Sequence, residues 1–270
     1  MEKLEDKSNI AINRPVHDLL KGKKALIIGV ANEHSIAYGC AKAFSDLGAE
    51  LAITYQTERT RDFVAPLLEN LVAPIFMPCD VTQEGSLEAV YAEIEKKWGK
   101  LDIIVHAIAF APKDDLQGRV VDCSLDGFLT AMNISCHSFI RMAKLAEPLM
   151  QDGGTLFTMT YYGSERVLGH YNMMGPVKAA LESAVRYLAA ELGPKSIRVH
   201  AISPGPLKTR AASGLKSFET LLTQAAEKAP THQLTSIEDV GYTTAFLASD
   251  MAKNVTGNVV FIDGGYNIMG

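Results

Sequence analysis

Short apolar runs alternate with helical patterns along the whole chain, and this alternation restricts the fold more than any other feature. The runs are KALIIG (Lys24–Gly29), AELAITY, APIFMP, LDIIVHAIA, GTLFTMT, IRVHAIS and NVVFID. Each is short, rich in branched or aromatic residues and bounded by turn residues, the signature of buried strands. Between them lie SIAYGCAKAFSDLG, which Gly48 closes, a polar helix near Thr57–Asn70, one around Ser86–Trp98, long helices over Leu125–Met150 and Tyr171–Leu192, and IEDVGYTTAFLAS. Strands alternating with helices of this length imply right-handed crossovers and a parallel sheet covered on both faces. The predicted fold is α/β: a Rossmann-type, doubly wound parallel sheet of about seven strands. A chain of 270 residues, 47% hydrophobic, carries this as one domain over 21–270, with 1–20 as an N-terminal extension.

Charge and composition exclude several classes. A net charge of −5 argues against a nucleic-acid partner, which needs a basic face. The N-terminus lacks the apolar core of a secretory signal, and no apolar run is long enough to span a membrane, so a cytoplasmic location is expected. Cys40, Cys79, Cys123 and Cys136 have no paired or zinc-like spacing and read as reduced packing residues; no metal site is expected.

The first strand runs into GVANEHSIAYG. Gly29 lets the chain turn sharply, Ser35 can cap the next helix, and Gly39 allows that helix close to the sheet. The free N–H groups and dipole of the helix start then face the crevice, where a diphosphate binds. The pattern is not GxGxxG, and its place after the first strand of a βαβ series is what points to a dinucleotide. At the end of the second strand stands Gln56, which can bond a ribose hydroxyl but does not neutralise a 2′-phosphate. Arg59 reads as a solvated surface residue, so NADH is the expected cofactor. Asp80, after the third strand, can accept from an adenine amino group or cap the following helix.

Downstream, Tyr171 and Lys178 lie seven residues apart on a predicted helix, on one face and roughly 10 Å apart along its axis. They follow the fifth strand, where a helix of this fold borders the crevice. His106 lies in an apolar strand and reads as a satisfied core histidine. His170 faces away from its neighbour Tyr171, and Asn133 reads as helix-interior packing.

The residue four past Tyr171 is Gly175, so the Tyr-x3-Lys motif of most short-chain dehydrogenases is absent. The Tyr-x6-Lys spacing, with Tyr161 ten residues earlier, resembles the divergent branch, the bacterial NADH-dependent enoyl-[acyl-carrier-protein] reductases. The resemblance runs from Leu20 to the C-terminus through GVANEHSIAYG, TYQ, CDV, HAIAFAP, YYGSERVLGHYNMMGPVKAALE, LGPKSIRVHAISPGPLKTRAASG, IEDVG and TGNVVFIDGGY. It implies that Gly29, Ser35, Ile36, Gln56, Asp80, Val81 and Ile108 line an NADH site. It makes Ala111 a substrate contact, Tyr161 and Tyr171 the active-site tyrosines, and Lys178 the ribose anchor. Leu207, Lys208, Thr209, Arg210 and Ala211 would flank nicotinamide and open a substrate loop that runs to about Phe218. Tyr162 falls where the family does not require tyrosine and is given a packing role. The implied partners are enoyl-acyl carrier protein and further copies of the chain in a homotetramer, with the long helices supplying contacts.

The chain departs from that family at Pro204, Arg210, Thr231-His232-Gln233 and Pro176, the last of these expected to kink its helix. Two other readings stand beside the reductase: a short-chain carbonyl or alcohol dehydrogenase, against which Gly175 speaks, and a nonenzymatic NAD-sensing protein, against which the retained Tyr171 and Lys178 speak.

Overall fold

The computed structural model describes residues 18–169, 171–209 and 218–269. All seven predicted runs are strands: β1 (Lys24–Ile28), β2 (Glu50–Tyr55), β3 (Ile75–Pro78), β4 (Ile103–His106), β5 (Gly154–Met159), β6 (Ile197–Pro204) and β7 (Val259–Ile262). They form one sheet in the order β3-β2-β1-β4-β5-β6-β7, and every pair is parallel. The chain reverses direction across the sheet between β1 and β4, so a crevice opens past the carboxyl ends of those two strands.

The helices are α1 (Ile36–Asp46), α2 (Glu58–Val64), α3 (Ser86–Trp98), α4 (Lys113–Gln117), α5 (Leu125–Met132), α6 (Ser138–Ala146), α7 (Met174–Leu192), α8 (Phe218–Lys228) and α9 (Ile237–Ala248). Alternate strand residues point to opposite faces, and they feed two cores. Leu26 and Ile28 of β1 join Leu87 and Ile94 of α3, Phe139 of α6 and Leu181 of α7. Ala25 and Ile27 join Cys40 and Phe44 of α1 and Val240 of α9 on the other face. Truncating a fully buried ring such as Phe44 or Phe157 costs about 3–5 kcal/mol.

Several local expectations change. Gly39 serves the crossing of α1 with α9, not an approach to the sheet: a Cβ there would overlap the Ile237 carbonyl, and one at Gly241 would overlap the Gly39 carbonyl. The predicted Thr57–Asn70 helix tightens to a 3₁₀ form at Ala65–Asn70, where Pro66 removes a donor. The Leu125–Met150 helix is broken by a π turn at Asn133–His137 and ends in a 3₁₀ turn at Glu147–Leu149. Asn133 is exposed rather than packed inside. Pro176 makes no kink, because α7 begins at Met174 and the proline falls in its first turn, where its missing N–H has no intrahelical role.

Cys40, Cys79 and Cys136 are buried, all four cysteines are free, and burial pushes the Cys40 thiol up to about 12. Leu20 is fully buried and its N–H bonds the Leu47 carbonyl, so the folded unit already includes it. Arg198 of β6 donates to the carbonyls of Leu247, Ala248, Ser249 and Ala252, which locks the C-terminal end of α9 to the sheet. Among the described residues no helix is long and apolar enough to cross a membrane, and no cluster could hold a metal ion.

Candidate active site

A cleft of about 370 Å³ lies at the carboxyl ends of β1 and β4. Gly29 forms its floor. Its φ of +111° suits glycine, and a Cβ there would run into the Ala107 carbonyl after β4. The chain then reaches α1 through a tight turn. Ser35 holds the N-cap position but does not bond the helix; its hydroxyl donates to the Asn32 carbonyl at 2.7 Å and accepts from the Ala31 N–H at 3.4 Å. Ser35 thus shapes the turn and its carbonyl takes the Tyr38 N–H, while the N–H groups of Ile36 and Ala37 at the start of α1 have no earlier turn to bond. This is a cradle without side chains beside a positive helix end, which fits the diphosphate of a dinucleotide.

The opposite wall comes from β5 and α7. Tyr171 is not on the helix, as the seven-residue spacing suggested; it sits in the turn before α7. That turn depends on Asn172, whose φ is +45°. Asparagine tolerates this left-handed backbone better than most residues, and its side-chain amide donates to the Leu116 carbonyl at 2.8 Å. Gly163 leaves room for the Tyr171 ring, which a Cβ would overlap. The rings of Tyr161 and Tyr171 meet edge to face, 5.0 Å apart. Burial pushes both phenols well above their ordinary value, so both keep their protons. The Tyr161 hydroxyl is buried with no hydrogen-bond partner, a donor awaiting an acceptor. Tyr162 is buried against Phe261 and Tyr266, in the packing role expected of it.

Lys178 enters from the second turn of α7, 4% exposed, and donates to the Met159 carbonyl at 2.7 Å. Burial pulls it down to about 8, against the upward pull of Cys136 and Glu182. The remaining wall, after β4, is pinned by the π turn: the Ser135 hydroxyl accepts from the Phe110 N–H at 3.0 Å and donates to the Phe110 carbonyl at 3.1 Å. His106 is a satisfied core residue. Its Nδ1 meets the Thr158 hydroxyl at 2.9 Å and its Nε2 the Ser138 hydroxyl at 2.7 Å. Ser138 spends its one proton on the Ile134 carbonyl, so Nε2 carries the imidazole hydrogen and Nδ1 accepts.

The cleft therefore brings together Gly29, Ser35, Ile36, Ile108, Ala111, Tyr161, Tyr171, Lys178, Leu207 and Thr209. Gln56 and Asp80 stand outside it at the ends of β2 and β3, joined at 3.5 Å. Partial burial raises the Asp80 carboxyl, but the Thr82 hydroxyl and N–H and the Gln56 amide outweigh it and hold it below the ordinary value. Asp80 does not cap α3, which begins at Ser86 behind Gly85. The Val81 side chain is buried in the core, and Lys208 lines a separate hollow with Leu222 and His232. Arg210, Ala211 and His170 lie outside the described residues. Met159, Thr160, Met174 and Leu116 line the cleft without having been singled out in the sequence. Thr160 had one signal, its place directly after β5. Pro204, a departure in the sequence, also lines the cleft as the last residue of β6, where a missing donor is tolerated.

This sheet order, with a side-chain-free cradle at the switch point and a tyrosine-lysine wall opposite, defines a Rossmann-fold nicotinamide-dependent oxidoreductase. A model of the family described as enoyl-(acyl carrier protein) reductase matches residues 29–267. An NADH enoyl-[acyl-carrier-protein] reductase of Rhizobium meliloti is 48% identical over 93% of each chain. One of Aquifex aeolicus is 46% identical over 93% of this chain and 94% of its own. Among solved structures, a reductase of Anaplasma phagocytophilum in complex with NAD aligns with a TM-score of 0.90, 47% identity, 93% of this chain and 96% of that one. A Bacillus cereus reductase with NADP+ and an indole naphthyridinone aligns at 0.91 and 44%, over 94% and 99%. The chain belongs to the enoyl-[acyl-carrier-protein] reductase family.

Proposed function

We propose that the chain reduces the trans-2 double bond of enoyl thioesters carried on acyl carrier protein, with NADH as reductant, as the last step of the elongation cycle. The observation that supports this most strongly is the convergence of Tyr171, Tyr161 and Lys178 on the cleft that Gly29 and the start of α1 floor. In this reading Gly29, Ser35 and Ile36 hold the diphosphate, while Gln56, Asp80 and Val81 flank the adenosine. Ile108, Leu207, Lys208, Thr209, Arg210 and Ala211 border the nicotinamide end. Ala111 touches the acyl group.

NADH bound there supplies a hydride to C3 of the enoyl group. Negative charge then gathers on the thioester oxygen as an enolate, which collapses as C2 takes a proton from solvent to give the saturated thioester. The Tyr171 hydroxyl, kept protonated by burial, donates to that oxygen and stabilises charge present only near the transition state. Lys178 bonds the ribose hydroxyls and adds a positive field, and the Tyr161 ring holds Tyr171 in place from the side.

The exposed apolar residues of the α5–α6 face, among them Leu125 at 72%, Leu129 at 55% and Ile140 at 37%, support self-association. The tetramer of the reading above is its expected form, and sedimentation tests it. Four free cysteines agree with a reducing, cytoplasmic setting. The function is tested by following NADH loss with crotonyl and longer enoyl thioesters on carrier protein, beside NADPH. Consumption of NADH on these substrates supports the reading, and tight NADH binding with no consumption on any of them overturns it.

A further inference from the structure

Glu182 is a buried carboxylate that no step above uses. It lies one helical turn beyond Lys178 on the same side of α7, 5% exposed, and it accepts from the Thr160 hydroxyl at 2.5 Å. Thr160 is itself fixed, since its N–H bonds the Ile202 carbonyl at 2.8 Å. Lys178 holds the carbonyl of the preceding residue, Met159, at 2.7 Å. One lysine and one glutamate of α7 thus grip two successive residues at the end of β5. They are not in direct contact, for no ion pair within 4.0 Å joins them. A buried acid that neither touches its counter-charge nor reaches water needs a reason.

We propose that Glu182, held by Thr160, is the fixed counter-charge that keeps Lys178 protonated, and so acts as a positioning residue for the cofactor-binding lysine. This rests on the role given to Lys178 above. The other groups around Lys178 do not replace it. His106 of β4 is neutral, pushed down to about 3 by burial and by the charge of Lys178 itself. Tyr161 and Tyr171 keep their protons, and Asp263 and Tyr266 act on Tyr161. Cys136 of the π turn is buried, which pushes its thiol up and keeps it neutral, although the nearby lysine pulls it down. Glu182 is the one carboxylate among the described groups that act on Lys178.

The test is the pH dependence of NADH affinity, read by equilibrium fluorescence with no substrate present, for the full-length wild type, Glu182→Gln and Thr160→Val. In the wild type the affinity should fall as pH rises through about 8, where Lys178 loses its proton. In both variants that fall should move to lower pH, by roughly one unit for Glu182→Gln. Simple removal of a negative charge near an anionic cofactor predicts the reverse, tighter binding at every pH. A lower melting temperature with an unmoved alkaline limb in either folded variant would mean that Glu182 only anchors β5, and overturns the proposal. A wild type with no alkaline limb overturns instead the role of Lys178 on which it rests.

Discussion

The Tyr161 ring stands edge-on to the Tyr171 ring, centroids 5.0 Å apart at 66°, and its own hydroxyl is buried without a partner. The two phenols therefore differ in what their loss should do. Tyr171→Phe removes the donor aimed at the developing charge and should lower kcat by on the order of 10²–10³-fold with NADH affinity kept. Tyr161→Phe removes an unsatisfied buried hydroxyl and should melt no lower than the wild type. Steady-state kinetics and thermal melts on the two variants check the contrast; unchanged turnover in Tyr171→Phe sinks the assignment.

Asn172 combines a φ of +45° with a bond to the Leu116 carbonyl. Asn172→Ala should lose both, at a combined cost of about 2–3 kcal/mol. Asn172→Gly keeps the backbone at ease and loses only the bond. Denaturant melts should therefore rank wild type, then glycine, then alanine, and an alanine variant as stable as the glycine one contradicts this.

Gly29 has no room for a methyl group beside the Ala107 carbonyl. Gly29→Ala must shift β1 against β4 at the floor of the cleft. We expect a loss on the order of 2–4 kcal/mol in stability and a weakened NADH complex, measured by melting and by titration. An alanine variant with wild-type affinity would place the diphosphate elsewhere.

Acid stability follows from two buried imidazoles. Burial holds His106 down to about 3 and His200 down to about 4, against an ordinary value of 6.5. The folded chain keeps both neutral, while the unfolded chain protonates them below 6.5. Their contribution is thus complete above that pH and shrinks as pH falls toward 4, by about 1.4 kcal/mol per pH unit for each. Denaturant midpoints that stay flat between pH 7 and pH 5 would show that these side chains reach water.

The fold was legible because it rests on one signal, a short apolar run bounded by turn residues, repeated seven times between helical patterns. Ile27 and Leu26 sort to opposite cores by alternation alone, and no single position decides the outcome. The site was less legible where it depends on exceptions. The spacing of Tyr171 and Lys178 suggested one continuous helix, but a left-handed Asn172 intervenes, and backbone conformation at one residue leaves no periodic trace. The π turn at Asn133–His137 hides in the same way, since the sequence reads as unbroken helix while the extra residue turns Ser135 onto Phe110. Pro176 misled in the other direction, because its effect depends on whether a helix has already begun. Glu182 carried no signal at all, since a glutamate on a helix reads as surface until its burial is seen.

The most direct test of the central claim is to follow the hydride. NADH carrying deuterium at the transferable position of its nicotinamide is incubated with crotonyl-acyl carrier protein, and the acyl product is read by NMR. The account predicts a butyryl thioester with deuterium on C3 and a solvent-derived proton on C2. Deuterium on C2, an alcohol in place of the saturated thioester, or NADH bound and unconsumed would each contradict it.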